Sequence, residues 1–438
     1  MTTGPVLEIR LRLSRSEVGW YRESADTLLA LTRTVRAGGV LSYLEVLSMA
    51  KTWEEINARI AAGDAVVFTA EEFATLAADE GLSAAAKRVD VVTTGTFGPM
   101  CSSGVVLNFG HSDPPIRMGK ITLNDVEAYG GLAAVDTYLG VTQPSEHRGI
   151  EYGGAHVIED LLRGKAVRLR AWSYGTDCYP RTEIDTWVTL EELNQAYFFN
   201  PRNAYQNYAV AVNSSDRPIY TYLGTLLPRL ANATYCSAGA LSPLLNDPTY
   251  RTIGVGSRIF VAGAPGYVAW QGTQHNPNQA RDEHGVPVGP AGTLAVIADL
   301  KQASPEFFSA ASFTGYGASS FMGIGVPIPV LDEEIAATLA LTDADLTATV
   351  FDYGVARRSR PSLGRVTYAQ LRSGSIEIDG KAVPTGPISS RKVARKIAAE
   401  LKTWVAERGF TLQQPLELLP QPGTQSTKPL EICAEEAI

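Results

Sequence analysis

Cys101 lies in the segment of the chain with the most features of a reactive site. Residues 93–104 read TTGTFGPMCSSG, so the thiol follows a predicted buried strand and is surrounded by small residues. Gly95, Gly98 and Gly104 permit close approach of the backbone, and successive amides can cradle an anion. A thiol among such donors is expected to have a lowered pKa and to be a better nucleophile. The alternative is a small buried side chain, the commonest fate of a free cysteine.

Two groups with acid–base capacity follow Cys101 in the segment 108–115, NFGHSDPP. His111 could act as a base for a thiol with Asp113 orienting it, or the two could bind an oxyanion. The alternative is a turn, in which Asp113 caps the chain and two prolines define its exit. The position of His111 and Asp113 close to Cys101 in the sequence favours the chemical interpretation.

A second thiol, Cys178, lies in a turn-rich loop over residues 174–181, YGTDCYPR. Arg181 in the same loop could stabilise a thiolate or bind a substrate carboxylate. The other two cysteines are predicted to be bystanders, because Cys236 has no charged neighbour in the sequence and Cys433 lies near the C-terminus. Four cysteines without a CxxC pair predict neither a disulfide scaffold nor a structural zinc site.

Two further polar loops carry candidate residues. The segment 272–277, GTQHNP, contains His275, which is a candidate acid or base and equally a candidate for stabilising its own loop. The segment 200–206, NPRNAYQ, contains Arg202 and has the residue types that bind carboxylates or sulfonates. Arg202 and Arg181 are therefore the predicted partners of an anionic substrate.

Several motifs are missing from the sequence, and their absence narrows the chemistry. There is no GxGxxG after the first predicted strand, no GxxxxGK[ST] and no HExxH, so nucleotide-dependent chemistry and zinc hydrolysis are disfavoured. Ser102 and Ser103 lack the Gly-x-Ser-x-Gly elbow of a serine nucleophile, and we expect them to contact substrate instead. We therefore expect no metal and no bound cofactor.

Composition limits the class of protein. The chain has 438 residues, of which 45% are hydrophobic and 19% are charged, so disorder is excluded for most of its length. A net charge of −8 makes a broad nucleic-acid-binding surface unexpected. No apolar run approaches the roughly 20 residues needed to cross a bilayer, and no secretory signal is evident. We expect a cytoplasmic protein that does not associate with membranes.

The elements that must position these residues alternate between helices and strands, which predicts an α/β fold with a mixed sheet and long functional loops. Thr52 and Glu55 have the form of a capping box for a helix that ends at Ala62. The other predicted elements are helices over 22–36, 71–78, 333–339 and 391–407, and strands over 65–68, 89–94, 167–172, 186–190, 254–261 and 293–299. Residues 1–50 are predicted to be an N-terminal extension with a helix, 51–415 one catalytic domain, and 416–438 a mobile tail.

At this level of detail the chain resembles a known family, the sulfur-incorporating homocysteine biosynthesis enzymes. The resemblance is carried by DVVTTGTFGPMCSSG over 90–104 and by LNFGHSDPP over 107–115. Shorter matching segments lie at 123–129, 174–181, 200–206, 272–277, 314–317, 323–329 and 371–377. Together these motifs extend over about residues 50–415.

The resemblance implies reductive sulfur transfer to an anionic aldehyde, with L-aspartate 4-semialdehyde and sulfide giving L-homocysteine. The two functionally important cysteines of the family match Cys101 and Cys178, which implies a persulfide or disulfide pair. In this hypothesis Cys101 carries sulfur or attacks the carbonyl, Cys178 resolves the sulfur–sulfur bond, and His111 or His275 moves protons. Arg181 or Arg202 would hold the anionic end of the aldehyde.

The chain departs from the methanogen members of the family in its N-terminal extension and in lacking a C-terminal pair of CBS modules. It also carries no ferredoxin-like segment with cysteine ligands, so the resemblance implies an external two-electron reductant, either a ferredoxin-like redox partner or small thiols. The oligomeric state stays open, with an oligomer among the alternatives. Other functions also stay open: coenzyme M formation from sulfoacetaldehyde and sulfide, a non-catalytic sulfur carrier or binding protein, and a CoA-transferase-like acyl enzyme.

Overall fold

The computed structural model describes residues 50–424 and 427–431. The helix predicted over 22–36 and the cysteine at position 433 lie outside these described residues. Within them, helices and strands form several sheets, two of which mix parallel and antiparallel pairs, and this confirms the predicted α/β class. None of the described helices has the length and apolar character needed to cross a membrane.

Eight α-helices lie in the described residues. They are α1 (Trp53–Ala62), α2 (Ala70–Glu80), α3 (Leu82–Arg88), α4 (Gly154–Leu162), α5 (Pro243–Asn246), α6 (Glu333–Leu339), α7 (Tyr368–Arg372) and α8 (Arg391–Glu407). The predicted capping box is present at the first of them, where the Glu55 N–H donates to the Thr52 hydroxyl at 3.1 Å. The Thr52 N–H donates in turn to the Glu55 carboxylate at 2.8 Å.

The strands are short, and most are joined by turns or loops. They are β1 (Val67–Thr69), β2 (Val91–Thr93), β3 (Thr96–Pro99), β4 (Gly104–Asn108), β5 (Lys120–Leu123), β6 (Val126–Tyr129), β7 (Asp136–Gly140), β8 (Pro144–Ser145), β9 (Gly149–Gly153), β10 (Val167–Trp172), β11 (Glu183–Val188), β12 (Gln195–Asn203), β13 (Val210–Val212), β14 (Ile219–Thr221), β15 (Gly224–Leu226), β16 (Ala233–Tyr235), β17 (Gly254–Val255), β18 (Arg258–Val261), β19 (Ala264–Gln271), β20 (Leu294–Asp299), β21 (Phe308–Phe313), β22 (Gly317–Gly325), β23 (Pro327–Pro329), β24 (Thr347–Asp352), β25 (Ser362–Thr367), β26 (Ser375–Ile378), β27 (Lys381–Pro387) and β28 (Glu417–Leu418).

The largest sheet organises the molecule. Its strands follow the order β11-β10-β5-β6-β7-β4-β12-β20-β19-β18-β22-β21, with β3 paired to β22, and its pairs are antiparallel. Strands such as β10 alternate buried and exposed residues, so that Leu169 faces the core and Arg170 faces solvent. Helices α4 and α8 pack on β22, and α4 also contacts β21. The sheet therefore contributes to the main hydrophobic core, and around β22 and β18 both of its faces are buried.

Helix α8 begins and packs as its sequence predicts. The Ser390 hydroxyl accepts from the Val393 N–H at 3.3 Å and so caps the helix. Ile397 and Leu401 are fully buried, and Trp404 lies beside them in the same apolar cluster. The spacing of these side chains places them on one helical face, which packs against the sheet.

A second, six-stranded sheet has the order β25-β24-β13-β16-β27-β26 and its own apolar core. Two of its pairs, β13–β24 and β16–β27, are parallel. Its central strand β16 leads directly into Cys236. This sheet therefore determines where the third cysteine of the chain lies.

The segment predicted to be a mobile tail is packed against the body at its start. Strand β28 pairs with β17, with Leu418 opposite Gly254. Leu419 is only 2% exposed, and the backbone N–H of Gly423 donates to the Asn278 side chain at 2.6 Å. The prediction of mobility from residue 416 is therefore wrong for residues 416–424, because apolar burial and strand pairing anchor them.

Candidate active site

Cys101 lies in a tight turn between β3 and β4. The Ser103 N–H donates to the Met100 carbonyl at 3.1 Å, which closes the turn around the cysteine. The Cys101 thiol lies 3.0 Å from the Ser319 hydroxyl, on the neighbouring strand β22. The turn and β22 together therefore determine the direction of the thiol.

The glycines around Cys101 make room for protein atoms. A Cβ at Gly95 would lie 2.3 Å from the Ala394 carbonyl oxygen of α8. A Cβ at Gly104 would lie 2.3 Å from the Tyr138 hydroxyl oxygen. The structure thus supports the predicted close approach of the backbone at these two glycines. Gly95 lies against the helix α8, and Gly104 lies against the ring of Tyr138.

The electrostatic surroundings of Cys101 differ from the prediction. Burial raises the pKa of its thiol, while hydrogen bonds with Ser319 and Tyr316 act in the opposite direction without cancelling that effect. No basic side chain is among the causes of the shift. The predicted lowering of the pKa is therefore wrong, because the thiol is desolvated and its hydrogen-bonding partners are neutral hydroxyls.

The Cys101 thiol opens on a cavity of about 350 Å³, called here the thiol cavity. Its walls combine two cysteines, one arginine, four tyrosines and smaller side chains. The lining residues are Pro99, Met100, Cys101, Ser102, Thr142, Arg202, Tyr205, Tyr208, Tyr222, Leu223, Cys236 and Tyr316. A volume of this size accommodates a small organic substrate.

The tyrosine hydroxyls form a connected group on one side of the thiol cavity. The Tyr208 hydroxyl donates to the Tyr222 hydroxyl at 2.6 Å, and Tyr222 and Tyr353 share a hydrogen bond of 3.0 Å. Burial raises the pKa of Tyr316 to about 12 and raises that of Tyr205. The Tyr316 and Tyr205 hydroxyls therefore remain protonated at neutral pH and can donate hydrogen bonds or protons.

Arg202 is the basic side chain of the thiol cavity. Its Nε–H donates to the Thr273 hydroxyl at 2.9 Å, and its backbone N–H donates to the Asn200 side chain at 2.8 Å. It also lines an adjoining cavity of about 570 Å³ together with Arg358 and Arg360. Among the described residues, these three arginines form no ion pair with a carboxylate, so this side of the site favours anions.

The two serines beside Cys101 have different surroundings. Ser102 lines the thiol cavity and can contact a substrate. Ser103 is 2% exposed, and its hydroxyl accepts from the Asn200 amide at 2.8 Å. The prediction that Ser103 contacts substrate is therefore wrong in this structure, since its side chain is buried and bonds to Asn200 of β12.

Cys178 lies elsewhere, in the loop between β10 and β11, and its side chain is exposed. Arg181 of the same loop donates to the carbonyl oxygens of Asp113 at 2.6 Å and Pro114 at 2.9 Å. His111 stacks on Tyr179 with ring centroids 6.0 Å apart. Cys178, His111, Asp113, Tyr179 and Arg181 thus form a second group, called here the distal cluster.

Strand β4 separates the distal cluster from the thiol cavity. Cys101 precedes the first residue of β4, whereas the 174–181 loop joins the segment that follows its last residue through a β-bridge between Ile116 and Arg181. A five-residue strand is about 17 Å long. The structure therefore does not bring Cys178, His111, Asp113 or Arg181 to the thiol of Cys101, and the predicted single site is divided in two.

His275 has the structural role that the sequence left open as an alternative. It is fully buried, and Nδ1 accepts from the Thr293 N–H at 3.1 Å while Nε2 faces the Pro420 carbonyl oxygen at 3.4 Å. Burial lowers its pKa, which keeps the ring neutral. Because both ring nitrogens are occupied by backbone groups and His275 does not line the thiol cavity, its predicted acid–base role is wrong.

Several residues of the thiol cavity were not predicted from the sequence. Cys236, Tyr208 and Tyr222 line it from separate parts of the chain, and Ser319, which contacts the Cys101 thiol, is buried behind that lining. Tyr316 lies within the segment 314–317 that already carried the family resemblance, and this was the available signal for it. Within residues 50–424 and 427–431, no group of three or more His, Cys, Asp or Glu side chains could hold a metal ion.

Comparison with known proteins agrees with the family resemblance of the motifs. An L-aspartate semialdehyde sulfurtransferase of Methanosarcina acetivorans is 54% identical over 374 residues, which cover 85% of this chain and 73% of that protein. Its namesake in Methanocaldococcus jannaschii is 51% identical over 396 residues, covering 87% of this chain and 75% of that protein. An uncharacterized protein of Methanothermobacter thermautotrophicus is 29% identical over 332 residues, 74% of this chain and 72% of that protein.

No solved structure matches the chain. Residues 65–412 match the family described as "Homocysteine biosynthesis enzyme, sulfur-incorporation". This match spans the thiol cavity, the distal cluster and the large sheet that separates them. With two relatives more than half identical over most of its length, this chain belongs to the family of sulfur-incorporating homocysteine biosynthesis enzymes, as its motifs predicted.

Proposed function

We propose that this chain transfers sulfur reductively to L-aspartate 4-semialdehyde, with sulfide as the sulfur source and L-homocysteine as the product. The names of the relatives that are 54% and 51% identical support this substrate. One aldehyde, one hydrogen sulfide, two electrons and two protons give one thiol and one water. We propose that the electrons come from an external reductant, either a ferredoxin-like redox protein or a small thiol.

The observation that carries the proposal is that the Cys101 thiol and Arg202 line the same cavity of about 350 Å³. Arginine binds a carboxylate through two parallel hydrogen bonds, so Arg202 can hold the anionic end of a short aldehyde. The aldehyde carbon would then face the thiol side of the cavity. This arrangement retains Cys101, Ser102 and Arg202 from the predicted site as the residues that meet the substrate.

The tyrosines supply the acid catalysis that the predicted histidines do not supply within the thiol cavity. Sulfide adds to the aldehyde carbon, and the resulting hydroxyl group must leave as water before the carbon is reduced. Tyr316 and Tyr222 line the cavity, and burial keeps the Tyr316 hydroxyl protonated by raising its pKa to about 12. A positioned hydroxyl can donate the proton that the leaving oxygen requires.

Cys101 is the proposed sulfur-bearing or redox thiol of the reaction. Its thiol is desolvated, oriented by Ser319 and open to the cavity. In the persulfide form of the mechanism, sulfide attacks a disulfide of Cys101 left by the preceding turnover, so that one extra sulfur stays on Cys101 and the partner thiol leaves with the electron pair. Mass spectrometry of the oxidised, sulfide-treated and alkylated protein tests that form, because one extra sulfur on the Cys101 peptide supports it.

The function is tested by assaying the pure protein anaerobically with sulfide, dithiothreitol and a panel of anionic aldehydes. We expect homocysteine from L-aspartate 4-semialdehyde, measured by mass spectrometry after thiol alkylation, and none with Cys101→Ser. Coenzyme M formed from sulfoacetaldehyde, with no homocysteine from the semialdehyde, would select the other aldehyde. If no aldehyde yields a thiol, the protein is not this enzyme and a sulfur-carrier function is favoured.

A further inference from the structure

The cavity of about 570 Å³ beside the thiol cavity, called here the arginine cavity, is lined by Arg202, Arg358 and Arg360. Side-chain amides of the 274–279 loop line it as well. Among the described residues that form its walls there is no aspartate or glutamate, and none of the three arginines forms an ion pair. A concave site with one sign of charge attracts small ions of the opposite sign, so this cavity favours small anions.

Arg360 is held at the wall that the two cavities share. Its guanidinium carbon lies 3.9 Å from the centroid of the Tyr353 ring, and the Tyr353 hydroxyl lies 3.0 Å from that of Tyr222, which lines both cavities. The Nε of Arg360 is buried and has no hydrogen-bond acceptor within the described part of the chain. The carboxylate that precedes Tyr353, Asp352, accepts from the Gly354 N–H at 2.7 Å instead. The charge of Arg360 therefore lies close to the thiol cavity without a counter-ion from the described residues.

The two proposed substrates differ in net charge. L-Aspartate 4-semialdehyde has one carboxylate and one ammonium group at neutral pH, so its charges cancel. Its carboxylate is assigned above to Arg202, which leaves Arg358 and Arg360 without a partner on this substrate. Dissolved sulfide, in contrast, is present at neutral pH in large part as the hydrosulfide anion, which is its nucleophilic form. The field of the arginine cavity therefore acts on sulfide and not on the aldehyde.

We propose that the arginine cavity binds the hydrosulfide anion through Arg358 and Arg360 and delivers it to the thiol cavity. This inference rests on the proposed function, in which sulfide is a substrate. It holds whichever thiol is the partner of Cys101, because hydrosulfide must reach the thiol cavity both to add to the aldehyde and to attack a disulfide of Cys101. The two cavities adjoin, since they share the lining residues Arg202, Tyr205, Tyr208 and Tyr222.

The kinetic test compares the KM for sulfide with the KM for the aldehyde in the full-length chain. Replacing Arg358 and Arg360 together by glutamine should raise the KM for sulfide by about tenfold at low salt, as expected when a charged cleft no longer concentrates its ion. The KM for the aldehyde should stay unchanged, because Arg202 is intact and the aldehyde has no net charge. Replacing the same two residues by lysine retains both charges and should restore most of the affinity for sulfide.

Arg357→Gln is the matched control, because Arg357 is exposed and does not line the arginine cavity. It removes one positive charge from the same loop and should leave the KM for sulfide close to that of the wild-type chain. Raising the salt from about 0.01 M to about 1 M should weaken sulfide binding in the wild-type chain more than in the double glutamine variant, because salt screens the arginine charges. Arg358→Gln alone keeps the contact between Arg360 and Tyr353, so it provides the test if the double variant does not fold.

Bromide gives a second measurement that does not depend on turnover. In crystals of the full-length chain soaked in sodium bromide, we expect anomalous density for an anion at Arg358 and Arg360, and bromide should inhibit competitively with sulfide only. An arginine cavity without bromide, or an unchanged KM for sulfide in the glutamine variants, would overturn this inference while homocysteine is still formed. The alternative, in which Arg358 and Arg360 are solvated side chains, predicts that result. If the wild-type chain forms no homocysteine, the proposed function has failed, and the bromide result distinguishes that failure from the absence of an anion site.

Discussion

The thiol cavity and the distal cluster each contain a cysteine, a basic side chain and a tyrosine, but their physical surroundings are opposite. Cys101 is largely buried and its thiol has a raised pKa, whereas Cys178 lies on an exposed loop. Arg202 lines a cavity without a carboxylate partner among the described residues, whereas Arg181 is occupied by two backbone carbonyls. Similar residue types therefore line an enclosed cavity in one place and anchor a loop in the other.

The comparison shows that the types of residue in a cluster do not by themselves indicate its function. Whether those residues line an enclosed cavity or lie on the surface has to be known as well. A buried thiol reacts only with molecules that are small enough to enter its cavity. An exposed thiol meets every solute and partner. The distal cluster is consequently suited to contact with other molecules, and the thiol cavity to chemistry on a small substrate.

The largest expected effect on the rate of homocysteine formation comes from replacing Cys101 or Cys178 singly by serine. Cys101→Ser should lower homocysteine formation by about 10³-fold or more, because it removes the thiol at the reacting atoms. Cys178→Ser should lower it by less than about tenfold, because its side chain lies outside the cavity. Steady-state rates with excess dithiothreitol measure both. Equal losses would show that Cys178 reaches Cys101 through a rearrangement or from another copy of the chain.

The next largest expected effect is on the KM for the aldehyde, which should depend on Arg202 and not on Arg181. Arg202→Ala should raise the KM for L-aspartate 4-semialdehyde by about 10- to 100-fold, the range expected for a lost charged hydrogen bond. The kcat should change much less if Arg202 binds the substrate and its transition state equally. Arg181→Ala is the control and should leave the KM unchanged. A reversal of these results would place the substrate at the distal cluster.

A severalfold effect is expected on the rate of Cys101 alkylation and on the dependence of that rate on pH. Burial raises the pKa of Cys101, and since the thiolate is the reactive form, its alkylation by iodoacetamide should be slow at neutral pH and accelerate in alkaline solution. Tyr316→Phe removes a hydrogen bond that lowers this pKa, so the profile should move to higher pH. Peptide mapping of alkylated Cys101 measures this pH profile of alkylation. Tyr174→Phe, in the loop of the distal cluster, is the control and should leave the profile unchanged.

The smallest effect concerns the stability of the distal cluster. Arg181→Ala removes hydrogen bonds to the Asp113 and Pro114 carbonyls, which at an exposed site contribute about 1 kcal/mol. The melting temperature should fall by about 1–3 °C while kcat stays unchanged. Arg117→Ala, which removes one longer contact to Tyr174 at 3.3 Å, should have a smaller effect. A large loss of activity with an unchanged melting temperature would contradict the purely structural role.

The local elements were predicted well because their signals lie within a few residues. The capping box at Thr52 and the apolar face of the helix over Arg391–Glu407 both depend on neighbours along the chain. The strand over Val167–Trp172 was predicted with its observed bounds. The sheet orders were not predicted, because pairs such as β4–β12 and β13–β24 join segments far apart in the sequence.

The candidate site was predicted only in part, because its residues come from segments that are far apart in the sequence. Cys101, Ser102 and Arg202 were identified and do share a cavity. His275 was misassigned because a polar loop in the sequence gives no sign that Thr293 and Pro420 enclose the ring. Cys236 was dismissed because its sequence neighbours carry no charge, although its neighbours in space include Cys101.

The sequence by itself determined the family, the α/β class and the bounds of the helices over Glu333–Leu339 and Arg391–Glu407. These properties are encoded by contiguous motifs and by caps and apolar spacing that act over a few residues. Only the tertiary structure decided which thiols and arginines share a cavity, and which way the pKa of Cys101 moves. Those properties depend on sheet order and burial, which bring Cys236 to Cys101 and hold Cys178 at the other end of β4.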